Sequence, residues 1–403
     1  MPTGSQSFAR LRDFLLLAAG ILLASQWIIL HGLLHISFGL FWDTLLPGLA
    51  IFGSAALLSW AAELAQIEIP QSLAIAFLAL VAVLPEYAVD MYLAWKAAHD
   101  PGYIAYAAAN MTGSNRLLIG MGWSTVLLTA WVCRRRREII VQPQQRLELA
   151  TLLVATAYAF IIPLKRSLSV IDTVFFLALF VFYIRKASQG HVEEPGLAGP
   201  PERLALLPVV LRRATTVFLF LLPAVSIFLA AEPFANGLLQ SARSLKMDEF
   251  ILIQWLAPLA SESPEFIVAI IFAIRNKPTA GLGTLVSSKV NQWTLLVGML
   301  PLVYSISGGH LQPMPLDARQ VEELFLTAAQ SLLALVILSN LRFGLGEALV
   351  LFGLFFLQFF FPDEHARLIM AAGYLVIVVG YLLSRANRSA VASLLQNGWR
   401  GYS

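Results

Sequence analysis

Leu84-Pro85-Glu86-Tyr87, followed by Asn110-Met111-Thr112-Gly113-Ser114-Asn115, returns about half a chain later as Ser263-Pro264-Glu265-Phe266 followed by Thr284-Leu285-Val286-Ser287-Ser288-Lys289. Each copy places a Pro-Glu pair in one membrane-length apolar run and a small-polar cluster in the next. Ionisable groups in hydrocarbon are costly, so carboxylates inside such runs mark a pathway or a binding site. Recurrence of the whole pattern marks an internal duplication, the plan of many membrane transporters.

Outside these motifs the composition points the same way. Apolar residues make up 58% of the 403 and charged residues 13%, a balance far from that of soluble globular domains. Barrel strands are roughly 10 residues of alternating polarity, whereas these apolar runs reach about 20 residues. The expected fold class is therefore an all-α polytopic membrane protein. Runs bounded by charge, Pro or Gly predict twelve helices, near residues 13–32, 45–66, 70–97, 103–131, 146–164, 168–186, 213–240, 248–274, 280–306, 320–340, 344–361 and 366–384. The Pro-, Gly- and Glu-rich stretch from Gln189 to Pro208 reads as a linker. It divides the chain into an extra N-terminal helix (1–44), a first repeat (45–188), a cytoplasmic linker (189–212), a second repeat (213–361) and a C-terminal extra helix with tail (362–403).

Charge supplies orientation and excludes partners. The net charge is +3, and the dense basic run Arg134 to Arg137 follows an apolar segment without interleaved aromatics. It reads as a membrane-flanking anchor, not a nucleic-acid surface. Lys and Arg concentrate on the side that holds Arg10, Arg12, Arg134 to Arg137, Arg203, Arg275 and Arg385, so both termini are expected in the cytoplasm, in a cell inner or plasma membrane. The N-terminal apolar run has no small-residue cleavage site and reads as an uncleaved first helix. Cys133 is the only cysteine, which excludes an intrachain disulfide and a thiolate metal cluster. Five predicted helices separate the start of the first repeat from that of the second, and an odd number reverses direction across the bilayer. The repeats are thus inverted, the geometry of alternating access.

At 1.5 Å per residue, Glu86, Asn115, Glu262, Glu265 and Lys289 fall at one depth near the bilayer centre. A proline within a helix frees carbonyl oxygens one turn upstream, and hard cations prefer carboxylate, hydroxyl, amide and carbonyl oxygen. The candidate cation-binding set is Glu86, Glu265, Asn110, Asn115, Ser114, Ser261, Thr284 and Ser288, with Glu86 and Glu265 as the metal-ligating carboxylates. Small residues such as Gly113-Ser114 and Ser287-Ser288 also serve close helix packing; the recurrence of the two glutamates at matched depth favours a binding role for them. The chain lacks a His-Glu-x-x-His motif, a Ser nucleophile with a His partner at membrane depth, and any cofactor signature, which argues against an enzyme.

These residues resemble the paired alpha repeats of the sodium/calcium exchanger (cation/calcium antiporter) superfamily, whose repeat reads Gly-Thr-Ser-Leu-Pro-Glu and then Gly-Asn-x-x-Gly-Ser-Asn-Ile-Phe-Asn. The resemblance is concentrated in residues 80–124 and 257–299. It implies an inverted five-plus-five helix repeat with extra helices at the termini, and secondary-active antiport of Na+, Ca2+ or H+ with no cofactor. Its implied partners are the lipid bilayer and inorganic cations; oligomeric state is left open. It also implies that Glu86 and Glu265 are the central carboxylates, that Asn115 and the position of Lys289 complete a four-cornered site, and that Ser261 matches a hydroxyl-bearing ligand.

Departures from the family pattern redirect the reading. Ala82 and Val83 replace the Thr-Ser of the first repeat, and Met111 and Leu285 stand where some exchangers carry a hydroxyl. Lys289 replaces an Asn or Asp, and Arg116 an Ile. A buried ammonium keeps its charge when an acid pairs with it, so Glu262 is the expected partner of Lys289; the partner of Arg116 is left open, with Asp90, one turn beyond Glu86, as one candidate. A calcium site does not readily accept such a lysine. The alternatives are therefore sodium/proton exchange with Lys289 as a built-in counter-cation, or a degenerate homologue that transports nothing.

Overall fold

In hydrocarbon a chain has no water to bond its amides, so apolar runs of this length satisfy them internally as helices. The computed structural model describes residues 4–65, 67, 84–189, 199–360 and 363–399, and these are overwhelmingly helical. Two compact units share the chain: Met1–Tyr92 with His191–Pro264, and Leu93–Gly190 with Glu265–Ser403. The boundaries fall inside the Pro-Glu helices, so Leu84–Ala97 changes unit after Tyr92 and Glu249–Ile274 changes unit after Pro264.

The first unit packs Gly4–Trp27, Leu40–Ala65 and Val209–Leu245 along one another. Small residues set the spacing, as expected where van der Waals fit drives helix association. A Cβ at Gly53 would lie 2.5 Å from Leu23 Cβ and 3.1 Å from the Gly20 carbonyl oxygen. Ala24, Leu57, Ala61 and Leu219 form the buried core between these helices. Proline accounts for one cross-helix hydrogen bond: Pro233 has no N–H to offer the carbonyl of Leu229 four residues earlier, and Trp27 Nε1 donates to that oxygen at 3.2 Å. Ser226 Oγ donates to the Ala24 carbonyl at 2.7 Å. Asp13, 3% exposed, accepts from Arg12 at 2.9 Å and Arg203 at 3.3 Å, tying the N-terminal helix to the short helix Pro200–Leu204.

The second unit repeats its own backbone. Gly102–Leu117 passes through a π-helical turn, Leu118–Trp123, into Ser124–Arg134; Pro278–Asn291 passes through another, Gln292–Leu296, into Val297–Gly308. The two helical rods end in left-handed residues, Arg135 and Gly309, and left-handed Arg166 and Leu341 stand at a second matched pair of positions. Just beyond them, Ser167–Leu168 pairs antiparallel with Met314–Pro315, and Glu138–Ile140 with Arg342–Gly344. Exchanging the two halves of the chain turns each ribbon into the other, which is twofold pseudosymmetry. The helices that follow are capped alike: Asp172 accepts from Ser169 N at 2.6 Å and Tyr158 OH at 2.8 Å, and Glu347 from Gly344 N at 2.7 Å and Tyr381 OH at 3.2 Å. Side-chain acceptance of an orphan N–H is what starts a helix cleanly.

Gly120, inside the first π-helical turn, receives the ring of Phe355. A Cβ at that position would lie 2.2 Å from Phe355 Cγ, so Gly120→Ala forces the ring or the turn aside. The expected cost is about 1–3 kcal/mol, read as a lower unfolding temperature in detergent; an unchanged temperature would contradict this packing.

The all-helical membrane fold is as expected, and the count of about twelve membrane helices is not confirmed. Among the described residues seven helices are long and apolar enough to cross a membrane, and Glu249–Ile274 makes an eighth if taken as one span. Helix is present at the remaining predicted positions but is diluted by polar residues or shortened. Val170–Ala187 carries Asp172, Arg185 and Lys186, Pro278–Gly308 carries Ser287, Ser288, Lys289, Asn291 and Gln292, and Leu345–Phe360 is short. Residues 70–83 of the helix predicted over 70–97, Ala82 and Val83 among them, lie outside the described residues, as do residues 190–198 of the predicted linker.

Candidate functional site

In the first unit the proline-glutamate helices deliver three buried carboxylates. Glu86 is fully buried, and neither of its oxygens has a hydrogen-bond partner among the described residues. Asp90, one turn further along the same helix, is also fully buried. Ser261 is 3% exposed; its hydroxyl donates to the carbonyls of Ala257 at 3.3 Å and Pro258 at 3.2 Å, which leaves its own lone pairs to accept or ligate. Glu262 beside it is fully buried.

In the second unit the two positions related by the repeat, Asn115 and Lys289, touch. Lys289 Nζ donates to Asn115 Oδ1 at 2.7 Å and to the Asn115 carbonyl at 3.1 Å, and sits 4.5 Å from the centre of the Trp293 ring. Asn115 Nδ2 donates to the Met111 carbonyl at 2.8 Å, which fixes the amide with its oxygen towards the lysine. These two oxygens and the ring face are groups that hold a cation. The π-helical turns explain why main-chain oxygen is offered here: a π turn widens the helix and shifts its hydrogen-bond register. The Asn115 carbonyl meets Lys289, and the Arg116 carbonyl accepts from Gln330 Nε2 at 3.1 Å.

Around this contact, Asn110, Ser114 and Ser288 are buried, and the hydroxyls of Ser114 and Ser288 have no hydrogen-bond partner among the described residues. Met111 and Leu285, the departures from the family's hydroxyls, are buried core side chains. Glu265 is half-buried; its neighbour Phe266 packs where Gly122 leaves room, since a Cβ on Gly122 would lie 2.9 Å from Phe266 Cε1. Thr284 is exposed, and its hydroxyl donates to the Ala280 carbonyl at 3.1 Å.

Arg116, whose partner the sequence left open, finds partners within the second unit. The guanidinium, 2% exposed, pairs with Glu323 and donates to Gln358 Oε1 at 2.9 Å. Glu323 continues into Arg367, 3.9 Å away, which donates to Glu322 at 2.9 and 3.0 Å. Neither acid was singled out from the sequence, although carboxylates in the predicted 320–340 run carry the same signal as Glu86. Among the described residues no group of three or more His, Cys, Asp or Glu side chains is arranged to hold a metal.

The family described as sodium/calcium exchanger protein matches residues 39–186 and 215–362. Among solved structures the chain is similar to an H+/Ca2+ exchanger, CAX, at 44% identity and a TM-score of 0.92, covering 96% of this chain and 98% of that one. It shares the fold of a Ca2+/H+ antiporter, YfkE, at 16% identity and a TM-score of 0.61 over 90% of this chain and 99% of that one. It also shares the fold of the sodium-calcium exchanger NCX_Mj, at 20% identity and a TM-score of 0.52 over 79% and 96%. No curated protein sequence matches the chain. With both repeats matched and the fold reproduced over nearly its whole length, this chain belongs to the sodium/calcium exchanger family of multi-pass membrane cation antiporters.

Proposed function

We propose that the protein exchanges calcium for protons across a cell membrane, with both termini in the cytoplasm, and that Glu86 and Glu265 take up the two ions in alternation. The observation that carries this reading is Glu86: a carboxylate fully buried in a motif helix, with both oxygens unbonded among the described residues. Leaving such a group unsatisfied is costly, so it needs an occupant, and a calcium ion or a proton satisfies it in turn. The similarity to an H+/Ca2+ exchanger at 44% identity supports the choice of ions. Asn110, Asn115, Ser114, Ser261, Thr284 and Ser288 complete the proposed ligand oxygens, and Glu262 and Asp90 carry compensating charge. The test is a proteoliposome holding the full chain and a pH-sensitive dye: an inward calcium gradient should drive protons outward. No proton movement, with calcium retained outside, would remove this reading.

A second reading is favoured by one contact. Lys289 Nζ occupies the amide and carbonyl oxygens of Asn115, so the lysine stands as a built-in counter-cation in a site that then exchanges sodium for protons. Lys289→Asn should free those oxygens and increase calcium-dependent thermal stabilisation, by about ten-fold in apparent affinity for each 1.4 kcal/mol of repulsion removed. A folded variant with unchanged calcium response would show that the ammonium does not oppose the ion. Absence of flux for sodium, calcium and protons alike would leave a homologue that does not transport.

A further inference from the structure

The pseudosymmetry of the second unit pairs two acids that meet different fates, Glu323 buried and Glu148 half-buried. The repeat offset, 174 residues from Asn115 to Lys289 and 175 from Asp172 to Glu347, also relates Glu148 to Glu323 and Tyr183 to Gln358, each 175 apart. Their partners differ: Glu323 shares Arg116 with Gln358, whereas Glu148 Oε1 accepts from Tyr183 OH at 3.5 Å. The counterpart of Arg116, however, is Val290, fully buried and apolar. Glu323 is therefore neutralised by a guanidinium, whereas Glu148 has no ion pair among the described residues. Its one hydrogen bond is long for O–H···O, and its Oε2 is buried with no hydrogen-bond partner.

A second acceptor accompanies it. Gln145, one helical turn earlier, is 8% exposed, and its Oε1 is also buried without a hydrogen-bond partner. The Gln145 amide packs on the motif helix Pro278–Asn291, where a Cβ on Gly283 would lie 2.5 Å from Gln145 Nε2. Residues three apart lie on one face of a helix or helical turn, so Gln145 and Glu148 stand one turn apart, Gln145 against the helix that carries Ser288 and Lys289 and Glu148 beside Tyr183. Two acceptor oxygens with no donor call for a cation.

We propose that Glu148 and Gln145 form an accessory site for the transported hard cation, a relay at the flank bearing Arg134 to Arg137, and that Glu323 is the same site closed by Arg116. The inference rests on the reading of the chain as a cation exchanger. One carboxylate and one amide are too few for a resident calcium ion, which takes 6–8 oxygens. Low affinity is what a relay requires, because an ion that binds on entry must also leave.

The test uses the full chain in oriented proteoliposomes, with calcium as the probe. Glu148→Gln should raise the KM for calcium added at the Arg134 flank about ten-fold, equivalent to 1.4 kcal/mol of lost attraction. The maximal rate and the unfolding temperature should be retained, and Glu148→Asp should restore most of the affinity. Infrared difference spectra should lose one calcium-induced carboxylate band in Glu148→Gln. If the wild type exchanges ions and Glu148→Gln leaves KM unchanged, or lowers stability and rate without moving KM, the proposal is overturned and Glu148 is structural. If the wild type exchanges nothing, the transport reading fails, and the infrared band alone decides the site: its loss in Glu148→Gln supports it, and its persistence overturns it.

Discussion

Glu86→Gln, and independently Glu265→Gln, should abolish exchange, with flux falling at least about a hundred-fold, to the level of protein-free vesicles. The size follows from the charge: losing about 3 kcal/mol of attraction for an ion in a poorly hydrated site is a factor of roughly a hundred in affinity. The same substitution separates function from packing. Glu86 makes no hydrogen bond to a described residue through either oxygen, so replacing it with a neutral isostere breaks no hydrogen bond to a described residue and removes a charge from a buried position. The unfolding temperature without calcium should therefore hold or rise, while calcium-dependent stabilisation disappears. Flux at the wild-type level in either variant would reject the assignment of the central carboxylates. A fall in stability would show that Glu86 has a structural partner.

The opposite signature is expected one residue beyond Asn115. Arg116→Met should destabilise the second unit strongly, by about 3–5 kcal/mol, because it takes from buried Glu323 its close guanidinium and leaves it only the longer 3.9 Å pair with Arg367. Arg116 is 2% exposed and Glu323 4% exposed, so solvent gives little screening. Glu323→Leu alone should cost a similar amount by stranding the guanidinium, whereas the double variant Arg116→Met with Glu323→Leu should recover most of the loss. Replacing both members of a buried pair with apolar residues is often neutral, and the difference between singles and double isolates their coupling. Denaturant unfolding in detergent reads all three. Single variants within about 1 kcal/mol of the wild type would mean that the pair is not a structural lock. Arg367 reaches the same acids from Glu364–Leu383, a helix beyond the residues the family matches. That C-terminal helix is therefore tied into the buried network that holds Arg116.

Helical class, internal duplication and the burial of Glu86 were legible in the chain because each depends on local order: apolar run length and a Pro-Glu pair repeated in matching surroundings. Glu86 and Lys289 could be picked out without coordinates, since a charge inside an apolar run is conspicuous wherever the helix packs. What only the tertiary structure decided was who meets whom. Lys289 rests on Asn115, 174 residues away, and Arg116 meets Glu323, 207 residues away. Whether a buried acid becomes a locked pair or an open ligand depends on the residue facing it from another helix. Arg116 closes one of two pseudosymmetric positions, and with Val290 at the counterpart of Arg116 the other, Glu148, has no ion pair among the described residues. Helical periodicity sets the direction of a side chain about its own axis, but not the rotation and depth at which a distant helix packs against it, and those two variables choose the partner.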